Sequence, residues 1–224
     1  MDHDERLSKI SDARQAVFRA MGTMSEDVLA PIIGPALTGG PPWPTRPAWR
    51  MIDRGDTLVL SSDALSDPWD DDEENDAAGY ELEVFMEAPR NLFPDVRAIT
   101  DLAPTWLFAA VSEVSSTLAR HGGGRALVDE LGTVSVEVDG ERFPPELRNA
   151  DGRVGVLIGV SARGVPSHID YGSLGDARFL ALTVLTPTEL ERIVDEGEEA
   201  RNAIAAGLAA SPTGHVSVLS RPSV

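Results

Sequence analysis

The sequence predicts an α+β fold, a mixed α/β arrangement in which a central mixed β-sheet is flanked by helices. Three observations predict it. Apolar residues recur with period 3.6 in some segments and period two in others, in the order helices, strands, helix, strands, helix, strand. That order lacks the strict alternation of a doubly wound nucleotide-binding fold. Two runs, residues 154–160 and 179–185, are almost wholly apolar, as strands covered on both faces are.

The elements follow in chain order. Leu7, Ile10, Ala13, Val17 and Met21 place an amphipathic helix over residues 5–22. It is expected as an appendage, residues 1–24, to a globular domain of residues 25–224. A second helix is expected from Ser25, an N-cap residue followed by Glu26 and Asp27, to about Gly34-Pro35. Residues 38–47 hold four prolines and predict an extended crossing, because proline fixes φ and lacks the N–H donor. Trp43 and Trp49 are its expected anchors. Residues 49–52 and 57–61 flank Arg54-Gly55-Asp56 as a hairpin.

Residues 80–87 alternate, with Tyr80, Leu82, Val84 and Met86 on one side and Glu81, Glu83, Phe85 and Glu87 on the other. This predicts a half-buried strand whose outer face carries three carboxylates. Residues 105–120 are the central helix, with Leu107, Val111, Val114 and Leu118 on one face and Gly122-Gly123-Gly124 ending it; Trp106, at its start, is expected in the core. A short helix over 125–131 and a strand over 133–138 follow. Thr186 and Glu189 form a capping box around Pro187, starting a helix with a stripe of Leu190, Ile193, Val194, Ile204 and Leu208 that Gly197 divides. Residues 215–219 have strand character.

Charge narrows the function. Across 224 residues, 37 acidic side chains face 19 basic ones, for a net charge of −18. Such a surface opposes gripping nucleic-acid phosphates or anionic membranes. The absence of cysteine excludes disulfides, thiolate metal sites and a cysteine nucleophile. No apolar run approaches the roughly 20 residues of a membrane span, and the charged N-terminal residues do not read as a signal peptide. A cytoplasmic protein is expected. The acidity is concentrated: eleven carboxylates lie between Asp63 and Glu87, and no basic residue lies between Arg54 and Arg90.

That segment supplies the candidate partner-binding residues: Asp67, Trp69, Asp70, Asp71, Asp72, Glu73, Glu74, Tyr80, Glu81 and Glu83. Trp69, an aromatic set in acid, reads either as an anchor for a partner or as a pin for its own loop. Asp70, Asp72, Glu74 and Glu81 fall at calcium-loop positions 1, 3, 5 and 12, but Asn75 stands where that loop needs glycine, so no dedicated metal site is expected. His168 beside Asp170 could make an oriented base, yet no catalytic or cofactor fingerprint accompanies it. The expected partner is a basic protein, with no cofactor and no catalytic residue. The alternatives are a metal-assisted hydrolase using Asp/Glu carboxylates and a purely structural or oligomerising domain.

Five segments converge on one family. They are Leu65-Ser66-Asp67, Gly79-Tyr80-Glu81-Leu82-Glu83-Val84, Pro104-Thr105-Trp106, Leu185-Thr186-Pro187-Thr188-Glu189-Leu190-Glu191 and Leu219-Ser220-Arg221-Pro222-Ser223-Val224. In this order and spacing, residues 25–224 resemble a suppressor-of-fused-like (SUFU) domain of bacterial type. The resemblance implies a non-enzymatic protein-binding domain with a central mixed sheet flanked by helices. Animal members sequester zinc-finger transcription factors, and some bacterial members are proposed as immunity proteins that neutralise toxins. The chain is expected to stand without the additional C-terminal domain of the animal proteins that completes their peptide groove, and a transcription-factor partner is not carried over.

Overall fold

The computed structural model describes residues 1–70 and 78–224. The mixed sheet expected from the sequence is present, with eight strands among the described residues: β1 (Thr23–Met24), β2 (Trp49–Asp53), β3 (Thr57–Ser62), β4 (Leu82–Pro89), β5 (Val134–Asp139), β6 (Arg153–Ile158), β7 (His168–Asp170) and β8 (Asp176–Val184). Their order is β1-β2-β3-β4-β8-β6-β5, with β7 pairing β8 beside β6. β4 and β8 pair in parallel and the other neighbours antiparallel, which makes the sheet mixed.

Helices α1 (His3–Met21), α2 (Pro35–Thr38), α3 (Trp106–Arg120), α4 (Arg125–Leu131), α5 (Pro187–Glu196) and α6 (Glu198–Ala210) complete the frame. Alternation along the strands sorts the core into two sides. Leu58, Leu60, Val84, Met86, Leu180 and Leu182 pack under α3 with Leu107, Val111 and Val114. Val59, Phe85, Phe179 and Ala181 turn the other way and meet Ile10 and Phe18 of α1. Further along that second face Leu157 packs with Ile193, Ile204 and Leu208 of α5 and α6. The helix expected as an appendage is therefore part of the core, since it covers the centre of the second face.

Several elements match their sequence signals. Thr105 caps α3 on the Phe108 N–H, and Thr186 with Glu189 closes the capping box of α5. Of residues 38–47 all but Thr38, the last residue of α2, lie outside helix and strand, and Trp43 and Trp49 are buried edge-to-face with centroids 5.7 Å apart. Trp106 is buried, as expected. Other elements differ. No helix runs from Ser25 to Gly34: Ser25 N–H donates to Met51 C=O, and Leu29 exchanges 2.9 Å bonds with Trp49, so the backbone pairs with the sheet edge instead. Residues 215–219 form no strand. They cross the sheet end instead, Ser217 N–H donating to Glu87 C=O at 2.8 Å, Ser217 Oγ accepting the Val184 N–H and Thr183 Oγ1 donating to His215 C=O. Val194 is 67% exposed and lies off the expected stripe. No helix among the described residues is long and apolar enough to cross a membrane.

Candidate functional site

The acidic segment springs from a stem that the fold holds closely. Residues 61–68 are buried, Trp69 is half-buried and Asp70 is exposed. The chain returns at Ala78. Tyr80 N–H donates to Leu65 C=O at 2.8 Å, and the Tyr80 hydroxyl lies 2.9 and 3.0 Å from the carbonyls of Pro42 and Ala119. Trp69 meets Tyr80 edge-on, with ring centroids 5.3 Å apart and planes at 90°. Such a pair contributes about 0.5–1.5 kcal/mol beyond the area it buries. Gly79 is required here: it sits at φ 50°, and a Cβ would come within 2.3 Å of Asp67 O and 2.7 Å of Leu65 O. Glu81 also holds positive φ, 53°, its N–H donating to Ala78 C=O at 2.6 Å and its own C=O accepting the Arg178 N–H. Trp69 and Tyr80 thus clamp the two ends of the acidic excursion, which supports the pinning reading of Trp69.

Beneath the stem lies an ionic hub. Arg14 of α1 is 2% exposed. Its Nε donates to Asp63 at 2.7 Å, one terminal nitrogen donates to Asp67 at 2.8 Å, and the other donates to Ser66 Oγ and lies 3.4 Å from Glu83. Ser66 N–H and Oγ both donate to Glu83, as does Ser62 Oγ. Arg50 takes the second oxygen of Asp63 at 2.6 Å, and Thr45 the second oxygen of Asp67. Burial opposes the charge on Arg14, but the carboxylates of Asp67, Glu83 and Asp63 outweigh it and hold the guanidinium well above its ordinary value. Burial raises the Glu83 carboxyl, and Arg14 and the serine donors offset only part of that. Burial also raises the Tyr171 phenol, whose oxygen is 2.7 Å from Ser66 Oγ.

This arrangement corrects the expected acidic strand face. Glu83 and Glu87 do share a side of β4 with Phe85, but that side is covered by α1 and by the C-terminal residues around His215. Glu83 is fully buried and Glu87 is 4% exposed. Asp67 is likewise buried, with both oxygens occupied. Glu83 and Asp67 therefore hold the stem together and offer no oxygen to a partner. Of the other expected residues, Trp69, Tyr80 and Glu81 are half-buried, and Asp70 is exposed with its Oδ1 2.8 Å from His3 Nε2. Asp71, Asp72, Glu73 and Glu74 lie outside the described residues.

The sequence reading missed Arg14 and His3. Arg14 had a legible signal, because it falls midway between Ile10 and Phe18 on the buried stripe of α1, where a charge needs a buried counter-charge. His3 had none. His168 and Asp170 are both exposed and not paired with each other: His168 Nδ1 lies 2.9 Å from Ser167 Oγ and its Nε2 3.9 Å from Asp176, and Asp170 accepts the Gly172 N–H. Among the described residues no three His, Asp or Glu side chains converge to hold a metal ion. Compared with protein-family models, curated proteins and solved structures, the chain has no match.

Proposed function

We propose that this chain is a non-enzymatic, SUFU-like protein-binding domain of the cytoplasm, an immunity-type or regulatory protein that takes a basic partner on its acidic excursion. The observation that supports this reading most is the separation of charge. The buried carboxylates Asp63, Asp67, Glu83, Glu87 and Glu189 are matched by Arg14, Arg50, Arg54 and Arg221, so burial absorbs almost none of the net −18. The excess lies outside the core, and its densest run in the sequence, Asp70 to Asp76, falls between Trp69 and Tyr80, whose rings meet edge-on. A fixed departure point lowers the entropy lost on docking, and clustered charge raises the association rate of an oppositely charged protein. A toxin with a basic nucleic-acid cleft is a partner of this chemistry. The contact set is Asp70, Asp71, Asp72, Glu73, Glu74 and Glu81, with Trp69, Tyr80, Asp67 and Glu83 as its support.

Affinity capture from the cell that makes the protein, at low and high salt, tests the reading. A basic protein should be retained at low salt, released at high salt, and lost when the five acids from Asp70 to Glu74 are changed to their amides. Retention that ignores both salt and those substitutions would sink it.

A further inference from the structure

Strand β8 changes neighbours along one edge. Its first three residues pair with β7 and residues 182–184 with β6. At the junction each neighbour makes one bond: Phe179 N–H donates to Ser167 C=O, and Gly159 N–H donates to Ala181 C=O, both at 2.9 Å. The reciprocal bonds, to Phe179 C=O and from Ala181 N–H, are not made among the described residues. Both groups lie on this edge, since alternation sends the intervening even-numbered positions toward β4, as the Arg178 N–H to Glu81 C=O bond marks. Gly159 explains the gap. Its φ of 97° turns the chain out of the ladder, and its close approach to Gly132 O, 2.8 Å from where a Cβ would sit, leaves no room for a side chain.

A cavity of about 470 Å³ opens at this notch, lined by Gly159, Ser161, Val165, Ser167, Phe179 and Ala181 among others. One water takes about 30 Å³ of liquid volume, so the space far exceeds a bridging water. Backbone groups in residues as buried as Phe179 and Ala181 are nearly always paired. The two open groups sit two residues apart on one strand edge. In a parallel ladder, one residue of the added strand gives its N–H to the first of two such groups and accepts from the second. We propose that this notch is a peptide-binding site, taking one residue of an extended segment of a partner polypeptide as a short strand parallel to β8. The hydroxyls of Ser161 and Ser167, and the Arg178 guanidinium that Asp129 holds at 2.7 Å, supply polar contacts to the flanking residues. The site shares no lining residue with the contact set proposed above and does not depend on its role.

Amide exchange on the full ¹⁵N-labelled chain tests this, with four capped tripeptides (acetyl and N-methylamide ends, central Ala, Val, Ser or Phe) as probes. In the free protein the Ala181 N–H should exchange at least tenfold faster than the Phe179 N–H. At least one tripeptide should shift the Ala181 resonance and slow its exchange at least tenfold. Ser161→Trp and Ser167→Trp, at exposed rim positions, should each weaken that effect at least tenfold while the rest of the spectrum is kept. A smaller difference in the free protein, no response to any tripeptide, or an unchanged response in both variants overturns the proposal. Protection that rises with protein concentration and no peptide would assign the notch to a second copy and overturn it as well.

Discussion

The two ends of the Phe85 side of β4 handle buried charge in opposite ways. At Glu83 one arginine, Arg14, stands among three carboxylates, with Arg50 assisting only Asp63. At Glu87 a single carboxylate accepts from Arg54 at 2.8 Å, from Thr57, and lies 2.9 Å from His215 Nε2. Burial pushes Glu83 up and its donors do not recover it. Burial pushes Glu87 up too, but His215, Thr57 and Arg54 more than reverse that and leave it below its ordinary value. The first end is rich in acceptors and hangs on one helix. The second is rich in donors drawn from β3, its hairpin turn and the C-terminal residues. The contrast teaches that the acid-rich sequence around Glu83 marks a structural hub, whose carboxylates are occupied within the fold.

The largest effect should come from removing the shared cation. Arg14→Met leaves three buried carboxylates with one remaining guanidinium on Asp63, and should cost about 3–5 kcal/mol in urea unfolding at pH 7. Adding Glu83→Gln to it should return part of that loss. A cost under about 1 kcal/mol for Arg14→Met would erase the contrast between the two ends. Arg54→Ala should cost less, about 1–2 kcal/mol, because Glu87 keeps Thr57 and His215. Trp69→Ala should cost about 1 kcal/mol by the same assay, from the lost edge-on contact with Tyr80.

The smallest change at neutral pH should be Glu83→Gln alone, within about 1 kcal/mol of the parent. Its information lies in the pH profile. Glu87 and Glu189 are held below the ordinary carboxyl value, the second because Arg221 and the backbone N–H groups of Thr186 and Val224 outweigh burial. Their stabilisation is present above the unfolded value of about 4.3 and is lost as pH falls through the folded value. Glu83 is raised, so its contribution has the opposite sign: present below the unfolded value and lost as pH rises through the folded one. The parent's urea midpoint should therefore fall on acidification below about pH 4, while above that pH it should gain on acidification relative to Glu83→Gln, as Glu83 takes up its proton. Parallel profiles would contradict the assignment.

Much of the frame was legible from local signals. The hairpin of β2 and β3, the glycine run that follows α3, the capping box at Thr186 and the break at Gly197 each rest on residues whose chemistry acts within a few positions. The misreadings share a different cause. Glu83 reads as solvent-facing because charge usually is, and its partner is 69 residues away on α1. The 25–34 segment has helix-start residues, yet a bridge to Trp49 competes for its backbone. Strand β7 is three residues long and owes its existence to β8. Of the candidate site, the Trp69–Tyr80 contact was half legible, as one of two readings of Trp69. The separation of Asp67 and Glu83 from the excursion needed Arg14 to be read as a core residue.

The most direct test of the account separates excursion from hub in one experiment. The five acids Asp70, Asp71, Asp72, Glu73 and Glu74 are changed to their amides, and both urea stability and capture of the basic partner at low salt are measured. The account predicts a stability within about 0.5 kcal/mol of the parent and loss of the partner. Unfolding of that variant, or retention of the partner by a folded one, would contradict it.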